Sequence, residues 1–175
     1  MYKRQNIDRA VSAASVGRFF NCGQACLAVK RLYLHDRIAD EFIEKLVEKV
    51  RKLRVGNGLT RGVMLGPLHT KAQREEVEEQ VADAVQRGAK VLVGGDRPTG
   101  NEFDKGNFLN PSVLVDVDPE SKMLNDEVFG PALPVVRIKD LEEQLEEVDR
   151  ALNKLDEQEP RCEHCPVLRG VAAAQ

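Results

Sequence analysis

The sequence has no apolar run approaching the length of a membrane span, no block of basic residues, and few cysteines. Without the first it has no candidate transmembrane helix. Without the second it lacks the clustered Lys and Arg that nonspecific nucleic-acid binding needs, and its formal net charge is −3 with a pI near 5.7. Residues 1–9 carry no apolar stretch of the signal-peptide kind. The four cysteines do not form a secreted disulfide framework. These absences predict a cytoplasmic protein with no nucleic-acid or membrane partner. What is present suffices for one globular domain or two very small ones: 175 residues, 42% hydrophobic and 31% charged.

Apolar periodicity predicts alternating helices and strands. Ile7, Ala10, Val11 and Ala14 are spaced for a helix over 7–20, and residues 31–35 alternate as a strand. Asp36 is the expected cap of a helix over 37–54, whose stripe is Ile38, Phe42, Leu46, Val50 and Leu53 and which Gly56 ends. Residues 56–67 read as a loop. Thr70-Lys71-Ala72-Gln73 is a capping-box pattern opening a helix that ends at Gly88. Strands are expected at 89–93, within 108–117 and at 132–138, with Pro134 an objection to the last. Leu141, Leu145, Val148, Leu152 and Leu155 predict a helix over 140–157. Such alternation implies an α/β fold with a mainly parallel sheet and flanking helices.

Chemistry concentrates at Cys26, a free thiol after a Gly-containing turn. Backbone N–H groups at such a turn can lower a thiol pKa and make a carbonyl-attacking thiolate. The thiol alone equally fits a small buried hydrophobe, the commoner state of a free cysteine. Cys22 reads as a bystander or as a disulfide partner. Cys162-Glu163-His164-Cys165 has metal-like spacing but no second ligand pair nearby, so no metal site is expected. His35 and His69 are isolated histidines with nothing to mark them as general bases.

Phe20-Asn21-Cys22-Gly23-Gln24-Ala25-Cys26-Leu27-Ala28 resembles the active-site cysteine segment of the aldehyde dehydrogenase superfamily. The resemblance continues in order through Gly66-Pro67, Gly88-Ala89-Lys90-Val91-Leu92-Val93-Gly94-Gly95, Asn110-Pro111-Ser112-Val113-Leu114 and Glu127-Val128-Phe129-Gly130-Pro131. It spans about residues 6–148 at family spacing. It implies the catalytic-domain fold of that family, incomplete at both ends, with residues 6–150 forming the partial domain. It implies oxidation of an aldehyde to a carboxylic acid through a thiohemiacetal and a thioester on Cys26, with NAD or NADP as hydride acceptor. Glu127 would bind the nicotinamide ribose hydroxyls and Phe129 would pack near the nicotinamide. The partners implied are a small-molecule aldehyde and, for the parent enzyme, further copies of itself in a homo-oligomer.

The same resemblance leaves parts of the family pattern unmatched. The glycine-containing cofactor turn, the cofactor-binding Lys, the oxyanion Asn and the general-base Glu have no counterpart in these 175 residues. Likeness fades after Val148, and residues 151–175 read as a divergent tail. Residues 1–5, Met-Tyr-Lys-Arg-Gln, correspond to the reading GTG TAT AAG AGA CAG, which resembles a transposon end used in library preparation. They are expected to be a non-native leader. The chain alone is therefore expected to be inactive as a dehydrogenase. Two other expectations compete with a dehydrogenase fragment: a non-catalytic scaffold that acts through interactions, and a thiol esterase.

Overall fold

A computed structural model describes residues 6–139. The expected leader at 1–5, the helix at 140–157, the tail at 151–175 and the Cys162/Cys165 pair lie outside the described residues. The described part is built from helices α1 (Ile7–Phe19), α2 (Asp36–Arg51), α3 (Lys71–Gln86) and a single turn α4 (Lys122–Asn125), with strands β1 (Leu32–His35), β2 (Lys90–Val93), β3 (Ser112–Val115) and β4 (Ala132–Ile138). Among these residues no helix is long and apolar enough to cross a membrane.

The four strands form one sheet in the order β1-β4-β3-β2. β1/β4 and β4/β3 are parallel, and β2/β3 is antiparallel. The mixed α/β fold with a mainly parallel sheet is thus as the alternation implied. Pro134 is accommodated because β4 changes partners there. It pairs with β3 over Ala132–Pro134 and with β1 from Val135 onward. A residue without an N–H costs least where one ladder hands over to the next. All four residues of β3 are buried, as in a strand covered on both faces.

α2 supplies the main apolar stripe: Ala39, Phe42, Ile43, Leu46, Val47 and Val50 are buried. Its cap differs from expectation. His35, not Asp36, is the N-cap, and its Nδ1 accepts from the Arg37 N–H at 3.1 Å. Asp36 is instead the first helical residue, where its charge suits the macrodipole. The helix also stops earlier than Gly56, at Arg51. The segment beyond it returns through a bridge between Val55 and Leu65, which closes the 56–67 loop.

The cap of α3 is as expected in one half only. Thr70 Oγ1 accepts from the Gln73 N–H at 3.1 Å. The Gln73 side chain does not reach back; it donates to the Phe129 carbonyl at 2.9 Å. That diversion carries α3 into the candidate site.

Candidate active site

Two segments far apart in sequence meet at the C-terminal end of α1. The first runs from Phe20 to Lys30. α1 ends in a 3-10 turn, Phe20–Gly23, in which Asn21, Cys22 and Gly23 all take positive φ (49°, 59° and 75°). Asn21 and Gln24 brace this turn reciprocally. Asn21 Nδ2 donates to the Gln24 carbonyl at 3.0 Å, and Gln24 Nε2 donates to the Asn21 carbonyl at 3.1 Å. Gln24 Oε1 also accepts from the His69 N–H at 2.9 Å, tying the turn to the Gly66-Pro67 loop. A second turn follows, closed by the Ala28 N–H on the Ala25 carbonyl at 3.0 Å, with Cys26 inside it.

Cys26 is exposed, which sets aside its reading as a buried hydrophobe. Its N–H donates to no group among the described residues. Cys22 is the buried thiol, 2% exposed, and burial pushes its pKa up to about 12 against the opposing pull of the Arg18 charge. Both thiols are free, so no disulfide joins them. Iodoacetamide at pH 8 is therefore expected to modify Cys26 and spare Cys22 until the chain unfolds. Arg18 and Lys30 bound one tryptic peptide holding both cysteines, and fragment-ion assignment within it tells them apart.

The second segment is Glu127–Gly130, with each of its four carbonyls held by a side chain. Gln80 Nε2 donates to Glu127 O at 3.1 Å and Gln73 Nε2 to Phe129 O at 2.9 Å. Arg18 donates to Val128 O at 2.9 Å and to Gly130 O. Arg18 is fully buried, and its third acceptor is Val29 O at 3.1 Å, just beyond the cysteine turn. Burial lowers its guanidinium pKa to about 10, with the Cys22 and Glu127 charges acting in the opposite sense. It remains a cation at neutral pH. Val77, between the two glutamines on α3, closes the contact: a Cβ on Gly130 would stand 2.6 Å from its Cγ2.

The two segments touch directly. A Cβ on Gly23 would stand 2.6 Å from the Gly130 carbonyl carbon and closer still to its oxygen. Lys30 spans the junction. Its Nζ lies 2.7 Å from Glu127 Oε1, 3.3 Å from the Ala25 carbonyl and 5.3 Å from the Phe129 ring centroid. Glu127 is exposed and Phe129 partly so. Phe129 borders a depression of about 600 Å³ shared with Asn21, Gln24, His69 and Gln73. Cys26, Glu127 and Phe129, singled out in the sequence, thus stand on one pair of abutting loops. Arg18, Lys30, Gln73 and Gln80 were not singled out. Among the described residues no group of three or more His, Cys, Asp or Glu could hold a metal.

The aldehyde dehydrogenase family model matches residues 1–152. This chain belongs to the aldehyde dehydrogenase family. The family includes the succinate-semialdehyde dehydrogenase [NADP(+)] GabD of Escherichia coli K12, to which the chain is 42% identical over 135 residues. That match covers 77% of this chain and 27% of GabD. It also includes betaine aldehyde dehydrogenase of Brucella anthropi, 34% identical over 138 residues, 79% of this chain and 28% of that protein. Among solved structures, 3,6-anhydro-L-galactose dehydrogenase superposes with a TM-score of 0.79 at 36% identity, over 83% of this chain and 30% of that one. Betaine aldehyde dehydrogenase of Staphylococcus aureus, solved in complex with NAD+, gives 0.77 at 30% identity, over 82% of this chain and 28% of that one. The chain spans just over a quarter of the length of the curated relatives it matches.

Proposed function

We propose that these residues form the nucleophile and part of the cofactor platform of an NAD(P)-dependent aldehyde dehydrogenase in the cytoplasm. The observation that carries this reading is the exposed Cys26 thiol on the turn directly following Gly23, which abuts Gly130 of the Glu127–Gly130 loop. The residues present fit a nicotinamide dinucleotide. Phe129 already seats a cation at its ring, chemistry that suits an oxidised nicotinamide, and the exposed Glu127 carboxylate offers acceptors for paired ribose hydroxyls. When bound, that group supplies a two-electron acceptor for hydride.

The chain's own part is nucleophilic. The Cys26 thiolate attacks the aldehyde carbon, forming a C–S bond as the carbonyl π pair moves to oxygen. The Cys26 N–H is one donor for that oxyanion. With that acceptor held by Glu127 and Phe129, the oxyanion pair would re-form the carbonyl as hydride left the same carbon for the acceptor, leaving a thioester on Cys26. Water then adds and gives up a proton to solvent, the C–S bond breaks, and the carboxylic acid leaves with the thiolate restored.

An activated ester isolates the acyl step. With p-nitrophenyl acetate the purified chain is expected to acquire one acetyl group on Cys26, released p-nitrophenol being the co-product. Cys26→Ser should abolish this early labelling, while Cys22→Ser should leave it. Acetylation spread evenly over the four cysteines would overturn the reading. Aldehyde-dependent reduction of NAD(P)+ by these 175 residues alone is expected to be slight, because the glycine-containing turn, Lys, Asn and general-base Glu of the family pattern have no counterpart in them.

A further inference from the structure

The geometry points to Lys30 as a positioning residue that sets the charge and the spacing between the Cys26 turn and the Glu127–Phe129 loop. This rests on the proposed role of Cys26. Three kinds of contact converge on one ammonium: the carbonyl preceding Cys26 at 3.3 Å, the Glu127 carboxylate at 2.7 Å and the Phe129 ring at 5.3 Å. Between them they engage both loops. The lysine side chain is 21% exposed, while that of Glu127 is 58% exposed. The lysine is thus the more enclosed member, anchored on the turn side and reaching across. An exposed ion pair alone would be worth little. Here the same nitrogen is also fixed by a backbone carbonyl and an aromatic face, so the carboxylate meets a cation whose position is already set. Glu127 in turn cancels the lysine charge beside Cys26. Removing either partner therefore leaves a net charge of opposite sign at the nucleophile.

The test uses the full chain and two alkylating agents of like reactivity, iodoacetate and iodoacetamide, with Cys26 modification followed by mass spectrometry. The ratio of the two rates reads local charge and is indifferent to a general loosening of the fold. Lys30→Met should lower the iodoacetate-to-iodoacetamide ratio about threefold at low salt, the scale for one unit charge acting through water over several ångströms. Glu127→Gln should raise it by a similar factor, and Lys30→Arg should hold it near the original value. Hydrogen exchange supplies the spacing: Lys30→Met should speed exchange in the peptide covering Glu127–Gly130 while the thermal midpoint stays nearly constant. A ratio unmoved in both Lys30→Met and Glu127→Gln, or lost in Lys30→Arg, would overturn the proposal. So would unchanged exchange at Glu127–Gly130. Failure of Cys26 to take up acetyl from the ester would instead sink the nucleophile reading, since alkylation reports the charge pair whether or not acyl transfer occurs.

Discussion

Gly23→Ala is expected to destabilise the fold by about 4 kcal/mol, combining left-handed backbone cost with forced overpacking. Two independent constraints act on the same atom. The backbone at Gly23 has φ +75°, which an alanine adopts only under strain, and the new methyl would press on the Gly130 carbonyl. Neither carbonyl atom is the movable end of a side chain. Relief would require shifting Gly130 O, the atom to which Arg18 and the Ala132 N–H donate. Against a typical domain stability of about 5–15 kcal/mol, such a loss would move the urea midpoint far to the left. Gly58→Ala is the matched control, because a Cβ there meets nothing within 4 Å. It should change stability by no more than about 0.5 kcal/mol. Equal urea midpoints for the two variants would show that the Gly23–Gly130 approach is not a structural constraint.

Arg18→Met is expected to cost about 3 kcal/mol, the order found when buried acceptors lose a charged donor. The side chain of Met fills much of the space but donates nothing. Val128 O is the acceptor most exposed to the loss, because Gly130 O keeps the Ala132 N–H and Val29 O is only part-buried. Arg18→Lys should recover a fraction of the stability, since one ammonium cannot reproduce a planar fork spread over three carbonyls. The check is guanidinium unfolding of the three proteins. A methionine variant as stable as the parent would mean that the carbonyls find other donors. The same variant should also speed amide exchange in the Cys26 turn, because Val29 O is one of the three anchors.

What could be read in advance was whatever repeats with a period or sits in a short contiguous motif. The stripe of α2, the strand at 132–138 and the Gly23-Gln24-Ala25-Cys26 turn are of that kind. The α2 cap falls one residue before the expected Asp36: aspartate is the stronger general N-cap, but here His35 presents Nδ1 to the Arg37 N–H. The capping box forms only its Thr70 half because the Gln73 amide is engaged elsewhere. Its amide reaches a carbonyl 56 residues away, a partner no local pattern announces. Gln73 and Gln80 do lie on the α3 face of Val77, and two amides on an apolar stripe are a visible signal that something polar is buried against it. Arg18, set between Gly17 and Phe19-Phe20, is a similar signal. Lys30 offers none, since a lysine after an apolar run is ordinarily a solvated end. Its role exists only once the two loops abut.

The four side-chain anchors of Glu127–Gly130 also fix an order of events in folding. Their donors lie 47, 110, 56 and 112 residues away in sequence, so apart from the Ala132 N–H on Gly130 O the carbonyls of this loop depend on distant side chains. Contacts of such separation form late, after the closure entropy of the intervening chain has been met. During synthesis α1 emerges with a charged guanidinium on the face it must bury; Val29 O follows within eleven residues, but Val128 O and Gly130 O come more than a hundred residues later. The helix end beside Cys26 is therefore expected to gain its last two anchors only once Glu127–Gly130 has been made, so that the Cys26 turn and its facing loop become ordered together.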